Sequence, residues 1–139
     1  MKIVNGKLYG VNIMKNKPKM IVNEYGDKRW RLPNGDLHRE DGPAIEYSNG
    51  DKSWWLNDKL HREDGPAIER ASGNKSWYLN GKRHREDGPA VEWYNGTKQW
   101  YLNGKELTEK EFLKRNAPVK ELTVAEISEK LGYEVKVIK

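Results

Sequence analysis

Through the middle of the chain, short runs that alternate apolar and polar residues are separated by Asn-Gly or similar breaks. The last such stretch reads Ala90-Val-Glu-Trp-Tyr94, Asn95-Gly96, Thr97-Lys-Gln-Trp-Tyr-Leu102 and Asn103-Gly104. Alternation with a period of two predicts half-buried strands. Asn-Gly between two of them predicts a tight hairpin, because both residues tolerate positive φ. Each stretch therefore reads as two strands and two turns.

The pattern repeats. His-Arg-Glu-Asp-Gly-Pro-Ala occurs at His38–Ala44, His61–Ala67 and His84–Ala90, with 23 residues between copies. Trp54, Trp77 and Trp100 keep the same interval, while Trp30 lies 24 before Trp54 because Pro33 adds a residue. A fixed period of this length signals an array of supersecondary units stacked on one another.

A two-residue loop at Asn95-Gly96 would set Val91 opposite Trp100 and Ala90 opposite Tyr101. The same count sets Ile45 opposite Trp54 and Ile68 opposite Trp77. One face would then carry an Ile/Val–Trp ladder as its core, extended by Leu56, Leu79 and Leu102. The other would carry Ala44, Ala67 and Ala90 beside a row of Trp55, Tyr78 and Tyr101, edged by Glu46, Glu69 and Glu92. Arg31 holds the aromatic position in the first unit.

Hairpins of this period, with the Asn-Gly-Lys and Trp-Tyr-Leu-Asn-Gly-Lys strings, resemble the MORN repeat in a variant form, over about residues 20–107 and more weakly at Asn5–Tyr9. The resemblance implies a single-layer twisted antiparallel meander that serves as a scaffold and binding surface. Arg-Glu-Asp-Gly-Pro replaces the Gly-rich stretch of the common form, and the Tyr-x-Gly opening is missing. Arrays of this heptapeptide closed by Leu-Thr-Glu-Lys-Glu-Phe (Leu107–Phe112) also look like small accessory proteins of tailed bacteriophages. That likeness implies a phage-encoded protein in the host cytoplasm that binds, and can thereby inhibit, a host protein.

The two ends differ from the array. Thr108–Glu111 and Thr123–Glu126 have the spacing of capping boxes, each opening a short helix. Pro118 breaks the chain between them, and Gly132 is placed as a left-handed stop after Leu131. Tyr133–Ile138 alternates like a strand. The expected architecture is thus mainly β: an N-terminal edge hairpin and basic segment over 1–19, a repeat sheet of about four units over 20–107, and a helix-helix-strand cap over 108–139. Such a cap would cover a strand edge that otherwise invites pairing between chains.

Composition narrows the function classes. Only 35% of residues are hydrophobic, a thin supply for a compact globule, yet six Trp and seven Tyr exclude a solvated disordered chain. The absence of Cys excludes disulfides, thiolate metal sites and cysteine nucleophiles. No apolar run is long enough for a membrane span. The net charge of +5 is uneven: residues 1–31 carry +6 and residues 32–107 carry −2. Lys15, Lys17, Lys19, Lys28, Arg29 and Arg31 form the basic cluster, either a solvated edge that discourages aggregation or a docking patch for an acidic partner.

His-Arg-Glu-Asp contains catalytic residue types, but an active site needs one asymmetric constellation and here each unit carries the same set. Equivalent histidines two strands apart lie ~10 Å from one another, too far to share a metal ion. No phosphate loop, nucleophile elbow or zinc-protease string is present. The heptapeptide reads instead as turn and cross-unit hydrogen bonding. No cofactor, metal or catalytic residue is expected, and the candidate partner contacts are Arg31, Trp55, Tyr78, Tyr101, Lys17, Lys19, Lys28 and Arg29. A host protein is the first expected partner, because Trp, Tyr and Arg dominate interface hot spots. A nucleotide or nucleic-acid segment stacked on the rings is the second. An anionic membrane ranks last, since the row lacks a surrounding basic field.

Overall fold

The computed structural model describes residues 2–4, 7–9, 16–117, 123–132 and 134. Lys15, Pro118 and the strand expected over Tyr133–Ile138, apart from Glu134, lie outside them. Strands β1 (Lys2–Val4) and β2 (Lys7–Tyr9) form an antiparallel hairpin. A nine-stranded antiparallel meander follows. It is built from β3 (Lys19–Val22), β4 (Lys28–Arg31), β5 (Ile45–Glu46), β6 (Lys52–Ser53), β9 (Ile68–Glu69), β10 (Lys75–Ser76), β13 (Val91–Glu92), β14 (Lys98–Leu102) and β15 (Lys105–Leu107), paired in chain order. Two small hairpins, β7 (Trp55–Leu56) with β8 (Lys59–Leu60) and β11 (Tyr78–Leu79) with β12 (Lys82–Arg83), branch from one margin.

The two kinds of turn in each unit differ, and the difference sets the register. Trp93 donates its N–H to the Thr97 carbonyl and Gly96 donates to the Trp93 carbonyl, both at 2.9 Å. The loop is therefore three residues long, Tyr94-Asn95-Gly96, with Gly96 at φ +87° in the left-handed region. That is a type I turn closed by a glycine bulge, not the two-residue turn expected from Asn95-Gly96. At the other margin Leu79 pairs with Lys82 across Asn80-Gly81, where φ is +49° and +79°, a two-residue type I′ turn.

The extra residue overturns the expected ladder. Val91 pairs with Gln99 rather than Trp100, Ile45 with Ser53 rather than Trp54, and Ile68 with Ser76 rather than Trp77. A shift of one position exchanges the faces of a strand. Trp54 instead donates its N–H to the carbonyl of Ala67, and Trp77 to that of Ala90, both at 2.8 Å. Trp30 does the same to Ala44. Each tryptophan thus meets the alanine that opens the following strand pair.

One face of the sheet carries Ile45, Ser53, Ile68, Ser76, Val91 and Gln99 in successive cross-strand pairs. Ile45, Val91 and Ser53 are buried. The opposite face carries an alternating charge ladder, Lys28, Glu46, Lys52, Glu69, Lys75, Glu92 and Lys98. Here the His-Arg-Glu-Asp-Gly-Pro segments fold back as flaps, and Ala44, Ala67 and Ala90 are fully buried.

Two helices follow the sheet. Helix α1 (Glu109–Arg115) opens with the expected capping box at Thr108 and packs on β14 and β15, burying Phe112. Asn116, its C-cap, donates its side-chain amide to the Glu86 carbonyl at 2.8 Å and so ties the helix to the last flap. Helix α2 (Val124–Leu131) also opens with its capping box, at Thr123, and ends at Gly132 in the left-handed conformation (φ +72°).

Candidate functional site: the flaps and the aromatic row

Each flap is organised by its arginine. Arg39, Arg62 and Arg85 sit over Trp30, Trp54 and Trp77, with Cζ 3.8, 3.9 and 4.0 Å from the ring centroids. In the middle copy, Nε donates to Asp64 at 2.9 Å, while Nη1 donates to the Pro66 carbonyl at 3.1 Å and to Glu69 at 2.8 Å. The other two copies repeat this set. A planar guanidinium satisfies all these partners while stacking on the ring. Gly65 makes room for the guanidinium: a Cβ there would lie 3.0 Å from the Arg62 Cζ. The Arg62 guanidinium holds the Asp64 carboxyl below its ordinary range, chiefly by hydrogen bonding and then by charge. Asp41 and Asp87 behave alike beside Arg39 and Arg85.

The histidines tie one unit to the next. His38, His61 and His84 accept the backbone N–H of Asn57, Asn80 and Asn103 at Nδ1, at 3.1, 3.0 and 2.9 Å. Nδ1 is therefore the unprotonated nitrogen, and the Nε2 proton faces Glu40, Glu63 or Glu86 at 3.4–3.6 Å. At the opposite margin Asp27, Asp51 and Asn74 accept the N–H of Ser48, Ala71 and Tyr94. The Ser48 bond is the largest influence lowering the Asp27 pKa, and the Arg70 bond the largest lowering that of Asp51. Among the described residues, no three His, Asp or Glu side chains gather closely enough to hold a metal ion.

Grooves separate successive flaps. The first, about 750 Å³, lies between Arg39–Pro43 and His61–Asp64 and includes Trp54 and Leu56 in its walls. The second, about 710 Å³, repeats it one unit later, with Trp77 and Leu79.

The aromatic row occupies the other face. Trp55 donates its indole N–H to Ser53 at 2.8 Å, placing its ring beside the Ile45–Ser53–Ile68 row. Tyr78 and Tyr101 are joined by Arg83, which donates to the Tyr78 hydroxyl at 3.1 Å and to the Tyr101 hydroxyl at 3.3 Å. Arg83 also lies 5.1 Å from the Tyr101 ring centroid. All three rings are half-buried. Their backbones are fixed as well, since Trp55, Tyr78 and Tyr101 accept the N–H of Arg39, Arg62 and Arg85. The expected companions of the row have moved: the alanines and glutamates belong to the flap face, and the row shares its face with Ile45, Ile68 and Val91.

The basic candidates divide. Lys19 pairs with Arg31, and Ile21 with Arg29, so Lys19, Arg29 and Arg31 share the face of the aromatic row. Lys28 lies on the flap face, 3.7 Å from Glu46. Arg29 is held by Asp27 at 3.5 Å and lies 5.9 Å from the Tyr47 ring centroid. Arg31 donates to the Gly35 carbonyl within its own loop. Lys17 is exposed just before β3. Sequence reasoning missed Arg83, and repetition could not have found it, because Leu60 and Glu106 occupy the equivalent positions.

No protein-family model matches this chain, and none of the curated proteins matches it either. No helix among the described residues is long and apolar enough to cross a membrane.

Proposed function

We propose that the protein is a non-catalytic recognition module, which binds a partner protein through the face carrying Trp55, Tyr78, Tyr101 and Arg83. The observation that supports this most directly is the division of labour between the faces. Each flap uses its His and Arg side chains to hold neighbouring units together. The opposite face presents one ring per unit on a backbone anchored from both sides. A preorganised row of Tyr, Trp and Arg can bind with little loss of side-chain freedom. The likeness to variant MORN arrays, and to phage accessory proteins, supports assigning the partner to a bacterial host and the module's effect to inhibition by occupancy.

A second reading has its own observation. Lys19, Arg29 and Arg31 converge on the ring-bearing face, so a nucleotide or nucleic-acid segment could stack on the rings and place phosphates against these cations. The test is affinity capture from nuclease-treated bacterial lysate, with wild type, Tyr78→Ala and Tyr101→Ala as baits. Protein recognition requires a captured protein that survives nuclease and is lost on Tyr101→Ala at an unchanged melting temperature. Capture that disappears with nuclease, or that collapses as salt rises and with Arg31→Glu, selects the second reading.

A further inference from the structure

The first strand of the nine-stranded sheet, β3, and the opening of β14 are complementary halves of one joint. Inside the array the Lys-Ser strand of one unit meets the Ile/Val-Glu strand of the next: Lys52 with Glu69 and Ser53 with Ile68, then Lys75 with Glu92 and Ser76 with Val91. The Trp-to-Ala hydrogen bond closes each joint. At the head of the sheet, Met20-Ile21-Val22 stands 24 residues before Ala44-Ile45-Glu46, and both lead into Gly-Asp-Lys. Among the described residues, strand β3 has a ladder partner, β4, on one side only. At the tail, Lys98 and Gln99 stand 23 residues after Lys75 and Ser76. Among the described residues they pair with β13 alone, because the chain that would supply the next strand forms α1 instead.

We infer that the chain associates head to tail with a second copy, β3 of one molecule adding to the Lys98–Gln99 edge of the other in the register of the internal joints. Val22 then lies opposite Lys98 and Ile21 opposite Gln99. Three observations carry this. The backbone groups point correctly: Asn23 donates its N–H to Asp27 inside the hairpin, so the neighbouring Val22 N–H faces the free edge. The side chains at the head are apolar and uncovered, with Met20, Ile21 and Val22 at 50%, 58% and 52% exposure. The charges match: Lys17 and Lys19 are exposed at the approach to β3, while a groove of about 460 Å³ along the tail edge is lined by Glu106, Glu109 and Glu111 beside Lys98, Gln99 and Trp100.

Such a contact joins two different surfaces, so it does not close on itself and each added copy presents a new edge. It uses strand edges of the sheet and does not rest on the recognition role of the aromatic face. Sedimentation equilibrium of the full chain over a wide concentration range tests it. The expected result is an average mass that rises continuously above 16.2 kDa without a plateau, and that falls with added salt. Val22→Pro removes only an outward N–H and should hold the chain at the monomer mass. Lys17→Glu combined with Lys19→Glu should weaken association about tenfold while leaving the melting temperature unchanged, which keeps the test open if the proline variant fails to fold. A monomer mass at every concentration, a plateau at the dimer, or association indifferent to both variants would overturn the inference.

Discussion

Arg62 sits over Trp54 with its Cζ 3.9 Å from the ring centroid, and the same guanidinium binds Asp64, Pro66 and Glu69. One side chain therefore joins the flap, the sheet and the following strand. Arg62→Lys keeps the charge but loses the planar fork, and is expected to cost about 1–2 kcal/mol of unfolding free energy by urea titration. Arg62→Ala should cost more, because Asp64 and Glu69 lose their shared donor. A melting curve unchanged in Arg62→Lys would show that the flap stands without this stack.

Gly65→Ala presses a methyl group against that guanidinium without asking for an unusual backbone angle. Gly96→Ala has space around it but requires φ +87°. The two substitutions thus separate crowding from conformational strain. Gly96→Ala should destabilise by about 1 kcal/mol, a roughly uniform cost of the left-handed conformation. Gly65→Ala in an Arg62→Ala background should cost much less than it does alone, a coupling that a double-mutant cycle reads directly.

Acid should loosen the array along a defined limb. Asp27, Asp41, Asp51, Asp64 and Asp87 all have pKa values lowered from 3.8 by hydrogen bonds made in the folded chain. Carboxylates with depressed folded pKa values contribute stability that is fully present above the unfolded pKa and is lost as pH falls through the folded values. The melting temperature should therefore hold as pH is lowered toward about 4 and drop below that. Asp51→Asn should flatten the drop in a thermal melt series, since it removes one of the five titrating groups.

Helix α1 closes the array because Thr108, not an arginine, stands eight residues after Trp100, where Arg85 stands after Trp77. Thr108→Ala removes the side chain that accepts the Glu111 N–H and should cost about 1 kcal/mol. Deleting residues 108–139 strips Phe112 from β14 and β15 and should raise light scattering at concentrations where the full chain scatters little. A truncated chain that stays monomeric and folded would refute the capping role of this region.

Much of the architecture could be read from the residues. The 23-residue beat, the meander of short strands, both capping boxes and the left-handed stop at Gly132 rest on local chemistry, and the structure has all of them. The row of Trp55, Tyr78 and Tyr101 was likewise legible as one ring per unit. Its surroundings were not. The expected Ile/Val–Trp ladder failed because Asn95-Gly96 fits two hairpin turns, one with two residues and one with three, that differ by a single position in register.

The chain by itself determined that it would be a repeat of hairpins, since every unit restates the same turn and strand preferences. Only the tertiary structure decided which face each side chain takes. That choice depends on bonds between units, such as Ser48 to Asp27 and Asn80 to His61, formed by residues about twenty positions apart. Local propensity is nearly indifferent between the two turns. The contacts that select one of them exist only once neighbouring units have stacked.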